Sequence, residues 1–306
     1  MTRLVAIDWG TSSLRGALLD ADGKVLEERS DARGILKVPE GGFPAVFEAL
    51  FGDWMRLEGA HCLISGMAGS KQGWVEAPYC ACPAGRVEVG RKIIHIDAVP
   101  GARIAIVPGL HDEHDGVPDV MRGEEVQIFG AMALTGASDG LFVLPGTHNK
   151  WATVRKGRVA GFRTCMTGEF YALLSQHSIL ARTLDAAAPL DEAAFLQGVT
   201  QSENGHGLLH NAFGARTLSL FDRMPKEELS SYLSGLLIGE ELRTQSLQAA
   251  GEVVLIGSPV LTERYTLALR AAGVATRTLG AEATWAGLHA LSGFLAADRD
   301  SNRIQP

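Results

Sequence analysis

The sequence predicts an α/β protein of two lobes, each opening with three strands and a helix. Two observations carry this reading. Strand-length apolar runs alternate with helix-period stretches along the chain, and the order strand, Gly-Thr turn, strand, turn, strand, helix occurs twice, first at "AIDWGTSSLR" and again at "LFVLPGTHNK". A third is size: 306 residues, 46% hydrophobic and 21% charged, suffice for two separate cores.

The elements follow in order. Leu4–Ile7, Leu14–Leu19 and Val25–Glu28 read as an antiparallel meander joined by the turns "DWGTSS" and "DADGK". A helix over Pro44–Leu57 carries Val46, Phe47, Leu50, Phe51 and Trp54 at helical spacing, and its aromatic stripe is expected in the core. "CLISGM" then returns as a strand parallel to the first, because a helix intervenes. After a Gly- and Pro-bearing stretch, "GWVEAPYCACPAG", comes a strand at Ile104–Val107. The polar segment "HDEHDGVPD" is read as a solvated loop and the lobe boundary, giving lobes of residues 1–112 and 113–306.

The second half begins with a helix over Gly123–Leu134, then "LFVLP", "WATV" and "VAGFRT" as strands and a helix from Glu169. Helical patterns fill most of Asp191–Ala249. "EVVLIGS" is a strand, Leu261–Ala272 a helix, Val274–Thr278 a strand, and Glu282–Leu295 a last helix expected to pack back toward the first lobe. The tail "DRDSNRIQP" is polar, aperiodic and expected to fray.

A formal net charge of -7 argues against a nucleic-acid-coating surface, and no apolar run approaches the roughly 20 residues of a membrane helix. Four cysteines and the absence of a leader pattern before "TRLVAIDWG" suggest a cytoplasmic protein with a small-molecule partner; a homodimer stays open. His111, Asp112, His114 and Asp115 have metal-ligating side chains but sit in one short polar segment. His206 and His210 lack an accompanying Glu, and Cys80 and Cys82 lack a second cysteine pair.

Three turns carry the chemistry. Gly10, Thr11, Ser12 and Ser13 offer close amides and small hydroxyls to phosphate oxygens, with Asp8 at the strand end placed to hold a hydrated Mg²⁺. Gly146, Thr147, His148 and Lys150 repeat the arrangement in the other half, and Gly257 with Ser258 form a small turn on which adenine can lie, before a helix opened by Pro259. The Walker A and dinucleotide Gly-rich patterns are absent.

In this order the three turns resemble the two phosphate motifs and the adenosine motif of the actin, Hsp70 and sugar-kinase superfamily. The resemblance implies a ribonuclease H-like, actin-like ATPase fold, with duplicated βββαβα units around a central nucleotide cleft. "AIDWGTSSLR", "SGMAGSKQGW", "APY", "VPGL", "VMRGEE", "PGTHNKW", "FRTCMTGE" and "LSGLLIGEEL" further resemble the 2-dehydro-3-deoxygalactonokinase family over nearly the whole chain. That family resemblance implies transfer of the ATP γ-phosphoryl group, with Mg²⁺, to the 6-hydroxyl of 2-dehydro-3-deoxy-D-galactonate.

Related sugar kinases place an Asp base where this chain has Glu124 and Glu125. Glu124 is the candidate base, and complementing the helix dipole is the alternative role for both carboxylates. An acidic substrate calls for a guanidinium: Arg122 and Arg163 are the candidates, Arg15 being closer to the first phosphate turn. Gly69 and Ser70, and Thr167 and Glu169, are candidates for substrate hydroxyls, with a plain Gly-rich turn and a helix cap as their respective alternatives. A kinase for another sugar acid and a non-catalytic nucleotide-driven binding protein are the competing functions. About fifty residues follow the adenosine turn, too few for an Hsp70 peptide-binding domain.

Overall fold

The computed structural model describes residues 3–97, 99, 101–247, 251–296 and 303–304. Its chain groups into two compact units. One comprises residues 1–139, 152–162 and 281–306, the other 140–151 and 163–280.

The first unit opens with β1 (Arg3–Trp9), β2 (Leu14–Leu19) and β3 (Val25–Asp31), the antiparallel meander expected from the alternating apolar pattern. Helix α1 (Phe43–Met55) follows, with Pro44 in its first turn, where a missing N–H costs nothing. Phe47, Phe51 and Trp54 on its inner face are at most 2% exposed, so the aromatic stripe is core. Strand β4 (Ala60–Gly66) then lies parallel to β1, placing Ser65 beside Asp8, whose other neighbour is Arg15 on β2.

The stretch "GWVEAPYCACPAG" is more ordered than its Gly and Pro content suggested. It holds β5 (Tyr79–Ala81) and β6 (Ala84–Gly85), followed by α2 (Arg86–Gly90) and β7 (Ile94–Ile96). Strand β8 (Ile104–Ile106) continues the main sheet parallel to β4.

The expected loop at "HDEHDGVPD" is instead a hairpin of β9 (Gly109–His114) and β10 (Val117–Met121). Asp115 and Gly116 both take positive φ, 54° and 77°, the two-residue turn whose twist matches flanking strands. The Asp-Gly pair was the signal. Asp112 accepts from the Phe162 amide at 3.0 Å and His114 meets the Phe162 carbonyl at 2.8 Å, so these side chains fasten the hairpin. Among the described residues no cluster of three or more metal-ligating side chains occurs.

Helix α3 (Glu124–Thr135) completes this part of the unit, and α9 (Glu282–Ser292) packs on it and on β1 and β4. The crossing of α3 and α9 is backbone on backbone: a Cβ at Gly130 would stand 1.7 Å from the Ala283 carbonyl oxygen, and one at Gly287 1.9 Å from that of Val126. The Trp285 indole donates to Glu28 at 2.6 Å. Strand β16 (Arg303–Ile304) pairs with β7, so the main sheet runs β16-β7-β8-β4-β1-β2-β3. The rest of the polar tail lies outside the described residues.

The chain passes between units within β12 (Asn149–Arg155) and β13 (Arg158–Cys165), which follow β11 (Gly140–Leu144). The second unit continues with α4 (Thr167–His177), α5 (Glu192–Ser202), α6 (Leu208–Leu220) and α7 (Lys226–Arg243). Strand β14 (Glu252–Ile256), helix α8 (Pro259–Ala271) and strand β15 (Ala275–Leu279) complete it. Strands β11, β14 and β15 are parallel neighbours, the arrangement that buries both faces of a sheet. Val143, Val253, Leu255, Phe195, Ile238 and Leu269 form the core there. Among the described residues no helix is long and apolar enough to cross a membrane.

Candidate functional site

In the first unit the end of β1 is the natural starting point. Register places Asp8 between Arg15 and Ser65, and the Arg15 guanidinium pairs with the Asp8 carboxylate at 2.5 Å. The turn beyond, Gly10–Ser13, is closed by the Gly10 amide on the Ser13 carbonyl at 2.9 Å. It is pinned from outside by the amides of Ile35 and Leu36, which donate to the carbonyls of Gly10 and Thr11 at 3.0 and 3.3 Å. Thr11, Ser12 and Ser13 are left exposed on a fixed backbone.

The end of β4 approaches the start of α3. Gly66 and Gly123 take positive φ of 89° and 105°, and a Cβ at Gly123 would stand 3.2 Å from the Gly66 Cα. Near this close approach Gly69 meets Arg122: Arg122 Nη1 is 2.9 Å from where a Gly69 side chain would begin. Arg122 is 8% exposed, donates through Nη2 to the Ala77 carbonyl at 2.8 Å, and lies 4.3 Å over the Tyr79 ring. Its Nε and Nη1 have no hydrogen-bond partner, nor do the buried Oγ atoms of Ser65 and Ser70 or the Trp74 indole nitrogen.

Buried donors without partners are uncommon and costly, about 1–3 kcal/mol each and more for a charged group. Their concentration around the end of β4 marks a place equipped for a polar, anionic ligand. Ser65 and Trp74 were not anticipated; within an apolar strand and an aromatic cluster with Trp9, Phe43 and Phe47, their sequence signal is that of core residues.

Both acidic residues opening α3 fold back on the amides just ahead of it. Glu124 accepts from the Arg122 amide at 3.0 Å, and Glu125 accepts from the Gly123 amide with both oxygens, at 3.0 and 2.8 Å. Glu125 is fully buried. Burial first, then the Glu124 charge, pushes its carboxyl up to about 8, against the opposing pull of its amide bonds and of Arg122. Glu124 is half-buried.

In the second unit, the parallel pairing of β11 and β14 brings their following turns to one edge of the sheet, the edge where open parallel sheets bind ligands. Gly257 stands against Pro145, a Cβ there being 3.4 Å from the Pro145 carbonyl oxygen, so the turns expected to meet adenosine and phosphate in this unit are neighbours. Ser258 precedes α8, whose first residue is Pro259.

Within the turn the Gly146 amide donates to Asn149 Oδ1 at 2.7 Å, and the Thr147 carbonyl accepts from the Glu169 amide at 3.0 Å. His148 and Glu169 pair at 2.5 Å while both stay partly exposed. Lys150 leaves the turn: it is 6% exposed on β12, with Nζ donating to Thr164 Oγ1 at 2.7 Å. Thr167 is the first residue of α4 and its hydroxyl bonds Tyr265, whereas Arg163 is exposed on β13. Asn149, Glu241 and Tyr265, which hold this turn from below, lie outside the candidate set.

Comparison with known proteins finds relatives over nearly the whole chain. A model of the 2-keto-3-deoxy-galactonokinase family matches residues 8–291. The 2-dehydro-3-deoxygalactonokinase of Escherichia coli (strain K12) is 35% identical over 297 residues, covering 96% of this chain and 99% of that protein. A Rhizobium meliloti (strain 1021) protein, described as a probable enzyme of the same name, is 37% identical over 292 residues, covering 93% of this chain and 95% of its own. A crystal structure from Sinorhizobium meliloti, of a candidate 2-dehydro-3-deoxygalactonokinase, superposes with a TM-score of 0.87 at 34% identity, covering 97% of this chain and 100% of that one. The Acidaminococcus fermentans (R)-2-hydroxyglutaryl-CoA dehydratase component A, at 12% identity and a TM-score of 0.52 over 96% of this chain and 98% of its own, shares the fold alone, that of actin-like ATPases and sugar kinases. With the family model spanning nearly all of the sequence and two relatives matched almost end to end, the chain belongs to the 2-keto-3-deoxy-galactonokinase family.

Proposed function

We propose that this protein phosphorylates the 6-hydroxyl of 2-dehydro-3-deoxy-D-galactonate with ATP and Mg²⁺, releasing ADP. The observation that carries the reading is the buried, partner-poor guanidinium of Arg122 against Gly69, with the unpaired Ser70 hydroxyl next in sequence to Gly69 and Glu124 accepting from the Arg122 backbone amide. A sugar acid supplies what those groups lack. Its carboxylate accepts from Arg122 and a sugar hydroxyl from Ser70, with Gly69 leaving room against the guanidinium. Of the arginines considered, Arg15 is already paired with Asp8 and Arg163 is exposed, which favours Arg122 for the carboxylate.

Glu124 takes the proton of the attacking hydroxyl as the new oxygen–phosphorus bond forms and the bond from the γ-phosphorus to the β-bridging oxygen breaks. In the first unit Gly10–Ser13, and in the second the Gly146–His148 turn, are offered to nucleotide phosphates, with Gly257 and Ser258 offered to adenine. A single carboxylate suits an ion that arrives on ATP and keeps most of its waters, so Asp8, paired here with Arg15, would be the residue to hold Mg²⁺, and the ion would supply charge neutralisation at the phosphates. In the second unit, Thr167 and Glu169 are the residues offered to a substrate hydroxyl. In this reading lobes of 1–112 and 113–306 carry the first and second phosphate turns respectively. Family membership disfavours a non-catalytic binding protein.

The test is ATP consumption by purified protein, coupled to ADP release. Turnover should require 2-dehydro-3-deoxygalactonate and match it mole for mole. Activity with a neutral hexose and none with that acid would refute the substrate.

A further inference from the structure

Helix α7 is buried on almost every side, yet it carries a carboxylate, Glu241, at 5% exposure. Such a charge is tolerated only when every lone pair is used. Here Oε2 accepts from Asn149 Nδ2 at 2.8 Å and from the Tyr265 hydroxyl at 2.7 Å, while Oε1 accepts from the Trp151 indole. Asn149 is itself 2% exposed. With its amide nitrogen committed to Glu241, its oxygen has one direction left, toward the Gly146 amide at 2.7 Å. The bond order is therefore fixed: carboxylate, side-chain amide, backbone of the turn.

The turn needs this support. A Cβ at Gly146 would meet nothing within 4 Å, and Thr147 and His148 are exposed, so side-chain packing does little for the turn; its backbone is approached by Gly168, where a Cβ would stand 2.1 Å from the Gly146 carbonyl oxygen. Its other ties are the Glu169 amide on the Thr147 carbonyl and the exposed His148–Glu169 pair, which is worth little.

We propose that Glu241 is a positioning residue for the nucleotide. Through Asn149 it sets the backbone of the Gly146–His148 turn and so the affinity of that turn for the phosphates of ATP. The inference rests on the reading that this turn meets those phosphates.

A charge relocation tests it. Glu241→Gln presents an amide to groups that are themselves donors, and Asn149→Asp sets two carboxylates face to face. The double variant restores the order with the charge moved by one residue: the new side-chain amide on α7 donates to one oxygen of the new carboxylate on β12, and the Gly146 amide donates to the other. Each single variant should raise both the KM for ATP and the calorimetric Kd of a non-hydrolysable Mg-ATP analogue, measured without sugar acid, by about tenfold, the KM for sugar acid staying within about twofold. The double variant should return to within about threefold of wild type. Tyr265→Phe removes one hydroxyl and should weaken analogue binding by about threefold, which keeps the test open if a charge variant fails to fold.

Unchanged analogue affinity in the soluble variants, or a double variant worse than both singles combined, overturns the proposal while leaving the kinase reading intact. A wild-type protein that binds the analogue but ignores the sugar acid overturns the substrate reading and leaves this proposal standing. Absence of analogue binding by wild type overturns both.

Discussion

Arg122→Ala separates substrate recognition from folding. The wild-type guanidinium has one hydrogen-bond partner, the Ala77 carbonyl at 2.8 Å, and one ring contact, Tyr79 at 4.3 Å, while Nε and Nη1 have none. Truncation leaves the Ala77 carbonyl unpaired, a cost of about 1–3 kcal/mol, but also removes a buried cation with two idle donors, so the net loss of stability should stay below about 2 kcal/mol. The effect on substrate is larger. Two charge-assisted bonds to a carboxylate contribute about 1.5–3 kcal/mol each, and the lower bound, about 3 kcal/mol together, is a factor of about 150 in kcat/KM. Initial rates with sugar acid varied at saturating ATP, then the reverse, give the two constants. The acid's kcat/KM should fall by about 100-fold or more with the KM for ATP within about twofold, and Arg122→Lys, keeping charge but not the planar fork, should fall between. An unchanged KM for the acid, or equal losses for both substrates, would refute the assignment.

Further outcomes are expected from the same geometry. Asp8→Asn should cut Mg²⁺-dependent kcat by at least about tenfold with a melting temperature within a few degrees of wild type; an unchanged rate removes Asp8 from the metal's surroundings. Glu125 gives a pH signature. Its folded carboxyl, at about 8, holds a proton that the unfolded chain releases near the ordinary 4.5, so stability falls as pH rises through that window. Urea midpoints of wild type should decline from about pH 5 to about pH 8.5, and those of Glu125→Gln should decline less; parallel profiles would dismiss the buried carboxyl as the source. Gly287→Ala drives a methyl toward the Val126 carbonyl, 1.9 Å away, and should lose about 1–3 kcal/mol in urea melts despite alanine's better helix propensity. A neutral or stabilising result would mean that α3 and α9 have room to part.

Much of the first unit was legible because its cues are local. Alternating apolar residues and the turns "DWGTSS" and "DADGK" yield the meander, and a helix between two strands yields the parallel return of β4. The hairpin at Gly109–Met121 was misread because its charged side chains outweighed the Asp115–Gly116 turn signal. The helical stretch beyond Asp191 is interrupted at Gly205 and Gly207, both at positive φ, and again at Asp222–Pro225. The candidate site was legible as residue types. Which arginine is idle depends on partners no spacing reveals: Arg15 faces Asp8 across two strands, and Arg122 reaches Ala77, 45 residues away. The support under the second turn was invisible for the same reason, since Asn149 meets Glu241 across 92 positions of sequence.

The glycine contacts between α3 and α9 bear on how the protein is made. The helix that begins beside Arg122 and Glu124 rests on a segment translated about 150 residues later, and β1 is covered by that same late segment. A nascent chain emerging at about 5–20 residues per second therefore carries its first strands for many seconds without their final covering. The residues between, Gly140–Trp151 and Arg163–Gly280, can gather around their own core during that wait. The late helix thus closes over strands made long before it.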